Sequence, residues 1–135
     1  MFTTLERWSP QLLSLARIAF GITFIEHGTQ KLLGFPVPPP GALGPGLLAF
    51  TSVFETVGGI LIALGLFTRV AAFLVSGEMA VGYWMMHVPH SVYPLANGGE
   101  VMVLYSFAFL YFAAVGPGPW SLDAKLNLDA KLKRA

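Results

Sequence analysis

The sequence predicts an all-α, polytopic membrane protein, a bundle of four transmembrane helices with a short amphipathic segment behind it. Three observations carry that fold class. Of its 135 residues 55% are hydrophobic and only 11% charged, and the mean hydropathy of +0.67 is too apolar for a soluble domain of this size. Four stretches, 12–34, 47–67, 70–88 and 95–116, are each about as long as the roughly 20 helical residues a 30 Å hydrocarbon core requires. Between them stand clusters of proline and glycine that no continuous helix tolerates. The domain plan is therefore a membrane domain over 1–120 and a cytoplasmic amphipathic tail over 121–135.

The first stretch is followed by Pro36, Pro38, Pro39 and Pro40, then Gly41, Gly44, Pro45 and Gly46, an uncharged connection. Helices two and three are nearly contiguous, but Gly65 supplies a stop and Thr68 an N-cap, which predicts a tight hairpin. Pro89, Pro94, Asn97 and the Gly98–Gly99 pair separate helices three and four, and Gly116-Pro117-Gly118-Pro119 closes the membrane part. The tail repeats Leu-Asp-Ala-Lys-Leu at 122–126 and 128–132, with Ser121 placed to cap a short helix. Its six-residue offset fits neither a heptad nor a 3.6 period, so it reads as a solvated surface segment. No small-residue cleavage pattern follows the first apolar run, so that run is expected to stay in the mature protein.

Orientation follows from the cations. Arg7, Arg69, Lys125, Lys131, Lys133 and Arg134 all fall at one end of an up-down-up-down bundle, while 35–46 and 89–99 hold neither Lys nor Arg. By the positive-inside rule both termini are cytoplasmic, in the inner or plasma membrane, with Trp8 and Trp120 at the inner interface and Trp84 at the outer one.

Into this apolar frame the chain sets charges, and each ionisable group at bilayer depth costs roughly 2.5–3.5 kcal/mol, so such groups pair, face the bundle interior and mark sites. Helix one carries Arg17, Glu26, His27, Gln30 and Lys31; the later helices add Glu55, Glu78 and Glu100. At about 100° per residue, Ile18, Ile22, Ile25, Thr29 and Leu33 share the lipid face and His27 lies nearly opposite. Gln30 and Lys31 stand on the His27 side. Arg17, Gly21, Phe24 and Gly28 form the flank, where glycines admit a close neighbour; Glu26 is at the lipid edge. The expected interior stripes are Glu55, Gly59, Ile62 and Leu66 on helix two and Ala71, Leu74, Glu78, Gly82 and Met85 on helix three. Counting depth at about 1.5 Å per residue predicts an inner layer of Arg17 with Glu78 or Glu55, and an outer one of His27, Lys31 and Glu100.

His27, Glu55, Glu78 and Glu100 are the candidate proton-exchanging groups, because carboxylates and imidazole at such depth are the groups able to exchange protons near neutral pH. Arg17, Lys31, Gln30 and Glu26 are the candidate ligand-binding set. His87 and His90 straddle Pro89, but together with His27 and Glu100 they match no recognised ligand spacing, so no metal site is assigned. The complete absence of cysteine excludes disulfides, thiol relays and cysteine-ligated Fe–S clusters; no haem signature is present either. A net charge of +1 argues against a nucleic-acid partner.

The set Arg17-Ile-Ala-Phe-Gly21, then Glu26-His27-Gly28-Thr-Gln30-Lys31-Leu32-Leu-Gly34-Phe35, resembles the opening signature of the DoxX family of small four-helix membrane proteins. Glu55-Thr-Val-Gly58-Gly59, Gly65-Leu-Phe-Thr68-Arg69, Gly99-Glu100 and Gly116-Pro117-Gly118-Pro119-Trp-Ser121-Leu122-Asp123 match later blocks, so the resemblance runs from about 17 to 126. It implies the four-helix fold and an association with a membrane thiosulfate:quinone oxidoreductase, though one fold hosts many functions. Two readings stay open. The polar core binds a quinone or another small lipophile as part of a redox-associated subunit, or the chain is a non-catalytic anchor that assembles or stabilises a partner enzyme or a second copy of itself in the bilayer.

Overall fold

The computed structural model describes residues 2–39 and 43–128, the side chains of residues 2 and 4 excepted. Most of the second tail repeat, with Lys131, Lys133 and Arg134, lies outside the described residues, as do Pro40 and Gly41. The protein is all-helical, with no strand among the described residues. Its elements are α1 (Phe2–Leu33), α2 (Pro45–Leu64), α3 (Thr68–Gly82) continuing into a π-helical turn (Tyr83–His87), α4 (Pro94–Asn97), α5 (Glu100–Val115) and α6 (Leu122–Lys125).

The helices start and stop where glycine and proline direct, with one exception. Pro45 opens α2 at its first helical position, where a missing N–H costs nothing, and Gly65, at φ 67°, closes it in the left-handed conformation. The exception is α1, which begins at Phe2 and not near Leu12, and runs through Pro10. Its first turns are exposed, so the carbonyl that Pro10 cannot bond is open to solvation. Among the described residues one helix, Pro45–Leu64, is by itself long and apolar enough to cross a membrane; α5 is apolar but shorter.

The chain divides into two compact units, Met1–Thr68 with Pro117–Ala135, and Arg69–Gly116. In the first unit α1 packs closely on α2. A methyl group on Gly21 would meet the backbone nitrogen of Ala63 at 2.6 Å, and one on Gly59 would meet that of Ile25 at 2.9 Å, so the two backbones touch through their glycines. Here α2 is inside-out relative to a soluble helix. Ser52, Glu55, Gly58, Gly59 and Ile62 are buried, while Val53, Val57, Ile60 and Leu64 form an exposed apolar stripe at helical spacing. On α1 the buried line is Ser14, Arg17, Gly21, Phe24 and Gly28. That face is rotated by about a quarter of a turn from the one predicted around His27; the small glycines, not the polar side chains, choose the contact.

The segment read as a solvated tail is stitched into this unit. Ser121 caps α6 as expected, accepting from Ala124 N, but Asp123 is buried. Its carboxylate accepts from Phe67 N and Thr68 N, both at 2.8 Å, so Asp123 caps the start of α3, the role assigned above to Thr68. The Asp123 N–H donates to Gly65 O at 2.8 Å.

The second unit has an apolar core of Ala71, Ala72, Val75, Met79, Tyr105, Phe109 and Phe112. Ser76 and Ser106 exchange hydroxyl-to-carbonyl bonds of 2.8 and 3.2 Å, which tie α3 to α5. Tyr105 and Phe109 stack at 5.4 Å. The predicted α3 stripe is corrected accordingly: Leu74 and Met85 are exposed, and the packed line is Ala72, Val75, Ser76 and Met79. Arg69 donates to the carbonyls of Ala113 (2.9 Å), Ala114 (2.5 Å) and Val115 (3.3 Å), the last turn of α5, where a cation offsets the helix dipole.

Candidate functional site

The antiparallel register of α1 on α2 decides which charges meet. Gly21 faces Ala63 and Gly28 faces Thr56, so the C-terminal turn of α1 lies against Ser52 and Glu55. There Lys31 Nζ donates to Glu55 Oε1 at 2.5 Å, with the carboxylate side chain 2% exposed and the lysine 15%. Glu55 Oε2 is buried without a hydrogen-bond partner among the described residues. His27, one turn before Lys31 and half-buried, lies within electrostatic reach of Glu55, Lys31 and Glu26, its ring 6.5 Å from that of Phe24. The hydroxyls beside Glu55 are turned away from it: Ser52 Oγ donates to Leu48 O and Thr56 Oγ1 to Ser52 O, both within α2.

Arg17 is buried four turns down the same helix, and its surroundings are of another kind. Nε donates to Pro117 O at 2.8 Å, Nη1 to Ile62 O and Ala63 O, both at 2.6 Å, and Nη2 to Trp120 O. The planar guanidinium fork suits this, because the last carbonyls of α2 have no intrahelical partner and a loop must be held beside them. The expected pairing of Arg17 with Glu55 or Glu78 is thus corrected, the carboxylate within its electrostatic reach being that of Asp123. Backbone carbonyls hold Arg17, and Glu55 belongs to the Lys31 layer, not the inner one.

The other predicted residues lie apart from this geometry or in the second unit. Gln30 Nε2 reaches Pro38 O at 3.4 Å, and Glu26 is exposed. In the second unit Glu78 is half-buried on α3, and Glu100 is exposed at the first position of α5. His87 donates from Nδ1 to Asn97 O at 2.8 Å and stacks on Tyr83 across the π-helical turn; His90 is exposed. Among the described residues no group of three or more His, Asp or Glu side chains is arranged to hold a metal ion. The sequence marks Asn97 only as part of a break and does not mark Asp123 as a cap. The Asn97 amide donates to Ser91 O (2.7 Å) and Tyr83 Oη (3.2 Å) and accepts from Gly99 N (2.7 Å), a knot that fixes the turn before α5. An Asx-Gly pair is a turn signal in any sequence; nothing in the tail repeat sets Asp123 apart from its copy six residues on.

The sequence model of the DoxX family matches residues 12–88, more than half of the chain. The chain belongs to the DoxX family. A protein of Haemophilus influenzae is 46% identical over 90% of this chain and 95% of its own length. The Escherichia coli inner membrane protein YphA is 38% identical over 86% of this chain and 91% of its own. A second Escherichia coli inner membrane protein, YqjF, is 30% identical over 84% and 90%. No solved structure matches the chain. A membrane location accounts for the exposed apolar stripe of α2, which water would penalise and lipid does not, and the DoxX match covers α1 from residue 12 and all of α2, with the whole Lys31–Glu55 layer.

Proposed function

We propose that this DoxX protein is a four-span protein of the inner membrane, both termini cytoplasmic, that binds a small lipophilic ligand such as a quinone at the layer formed by Lys31, Glu55 and His27. The observation that carries the reading is the incomplete pairing of Glu55: a carboxylate with 2% exposure has one oxygen on Lys31 and the other on nothing among the described residues. A buried polar atom left unsatisfied costs about 1–3 kcal/mol and more when charged, a cost that a head group removes where it donates a hydrogen bond, as the reduced, quinol form of a quinone does. Glu78 and Glu100 are proton-exchanging candidates of the second unit. For the spans, α2 supports the reading by itself; α1, α3 with its π-helical turn, and α5 do so through the cation asymmetry and the connecting breaks.

Mass spectrometry of lipophiles that co-purify with the protein in mild detergent tests the site. A bound lipophile is expected with the wild type, to be lost in Lys31→Met and to change in amount or identity in Glu55→Gln. Equal retention in all three places the ligand elsewhere. Reporters after residue 90 and at Arg69 are expected to read outside and inside respectively. A scaffold reading, in which the protein assembles or stabilises a redox partner or its own second copy, draws support from Arg17, a buried charge whose bonds all serve the fold. It is favoured if no lipophile is retained and a defined partner co-purifies.

A further inference from the structure

The donor and acceptor inventory of the Lys31–Glu55 layer specifies more than a lipophile. An ionised carboxylate only accepts hydrogen bonds, whereas an ammonium only donates, three at a time. Lys31 directs one N–H to Glu55 Oε1 and has two more without a partner among the described residues. Glu55 Oε2 is unmatched among the described residues, and the nearest hydroxyls on its own helix, Ser52 and Thr56, already donate to α2 carbonyls. Gly28 adds no side chain here, and its position would clash with Thr56 if it had one. The layer therefore lacks one donor and has spare donors on Lys31, side by side.

Resting on the ligand-site reading above, we propose that the head group this layer takes is a hydroxyl, a phenol or a long-chain alcohol, which donates to Glu55 Oε2 and accepts from Lys31. An ether or ester of the same shape cannot supply the missing proton and leaves Oε2 as it was. A site built around a substrate hydroxyl rejects the analogue lacking it far more strongly than an apolar pocket rejects a change of one methylene, because the polar partner stays buried and unpaired. Lys31 is the part of the pair that reaches the surface, and its flexible methylene stem is the element a ligand displaces on entry.

The test compares two probes that differ in one O–H, 4-nonylphenol and 4-nonylanisole. Tritiated 4-nonylphenol is bound to the full chain in nanodiscs, with empty nanodiscs as the baseline, and displaced by each unlabelled compound. The anisole is expected to compete at least about tenfold more weakly, the worth of one hydrogen bond to a charged group. In Glu55→Gln the amide nitrogen can face the ligand as a donor, and the difference is expected to shrink to within about threefold. Equal competition in the wild type overturns the hydroxyl assignment, solvent then being the partner of Oε2, and leaves the lipophile site standing. Saturable binding of neither probe overturns both. The wild-type comparison decides the matter even where Glu55→Gln does not fold.

Discussion

Arg17 and Glu55 are both buried charges held between α1 and α2, and they are satisfied in opposite ways. Arg17 directs its donors to four backbone carbonyls, two at the end of α2 and two in the loop of residues 117–120. Glu55 has one bond, to a lysine that is itself partly exposed, and a second oxygen without one among the described residues. A charge whose every bond goes to the backbone fixes the fold, because no ligand can take its place. A charge half-matched by a flexible side chain can exchange partners. The contrast separates the two ends of one helix pair into a part that builds and the part proposed to bind, although a depth count along the sequence treats their charges alike.

The largest expected effect comes from Arg17. Arg17→Leu removes the side-chain donor to the buried Pro117 carbonyl, at about 1–3 kcal/mol before relaxation, and the bonds that tie the Ala63 and Trp120 carbonyls together, while Ile62 O keeps the Gly65 N–H. The melting temperature in detergent is expected to fall steeply, and Arg17→Lys to recover only part, since an ammonium cannot span the fork of acceptors. Full recovery with lysine would show that charge alone matters there.

Lys31→Met is expected to cost less than the about 3–5 kcal/mol of breaking a fully buried pair, because Lys31 is partly exposed. Lys31→Met combined with Glu55→Leu is expected to be more stable than Lys31→Met alone, which a double-mutant cycle of melting temperatures measures. Additive losses would mean that the pair does not couple.

Asp123→Ala removes two bonds to backbone N–H groups at the head of α3, and a loss of about 1–2 kcal/mol is expected. Asp123→Asn is expected to keep part of it, because its amide oxygen can still accept. A neutral Asp123→Ala would return the segment to the solvated surface it was first read as. The smallest expected effect on stability is His27→Gln, about 0.6 kcal/mol, typical of a membrane cross-helix hydrogen bond. In ligand retention between pH 5 and 8, however, the variant is expected to lose any dependence that titration of an imidazole gives the wild type. A melting loss of several kcal/mol with unchanged retention would class His27 with Arg17.

Much of the fold was legible because local chemistry decides it. Gly65 in the left-handed conformation and Gly21 and Gly28 on the contact face of α1 act through backbone sterics that hold in any context, whereas Pro45, read as part of the break, opens α2 instead. The stripe of Glu55, Gly59 and Ile62 was legible for the same reason. What could not be read depends on register between distant segments. Whether Lys31 or Arg17 meets Glu55 follows from the pairing of Gly21 with Ala63, and no periodicity within one helix encodes that. Asp123 looks like its copy in the repeat until Gly65 and Thr68 are brought beside it. The start of α1 at Phe2 was not legible because apolar length marks only residues 12–34, and the exposed turns before it tolerate Pro10, whose orphaned carbonyl stays wet.

The division between a building charge and a binding charge is tested most directly by the amount of lipophile retained per protein in Arg17→Lys and Glu55→Gln, measured side by side by mass spectrometry at a temperature where both remain folded. The account predicts that Arg17→Lys, though the less stable of the two, retains the wild-type amount, and that Glu55→Gln changes the amount or identity of what is bound. Loss of the lipophile from Arg17→Lys with full retention by Glu55→Gln would contradict it.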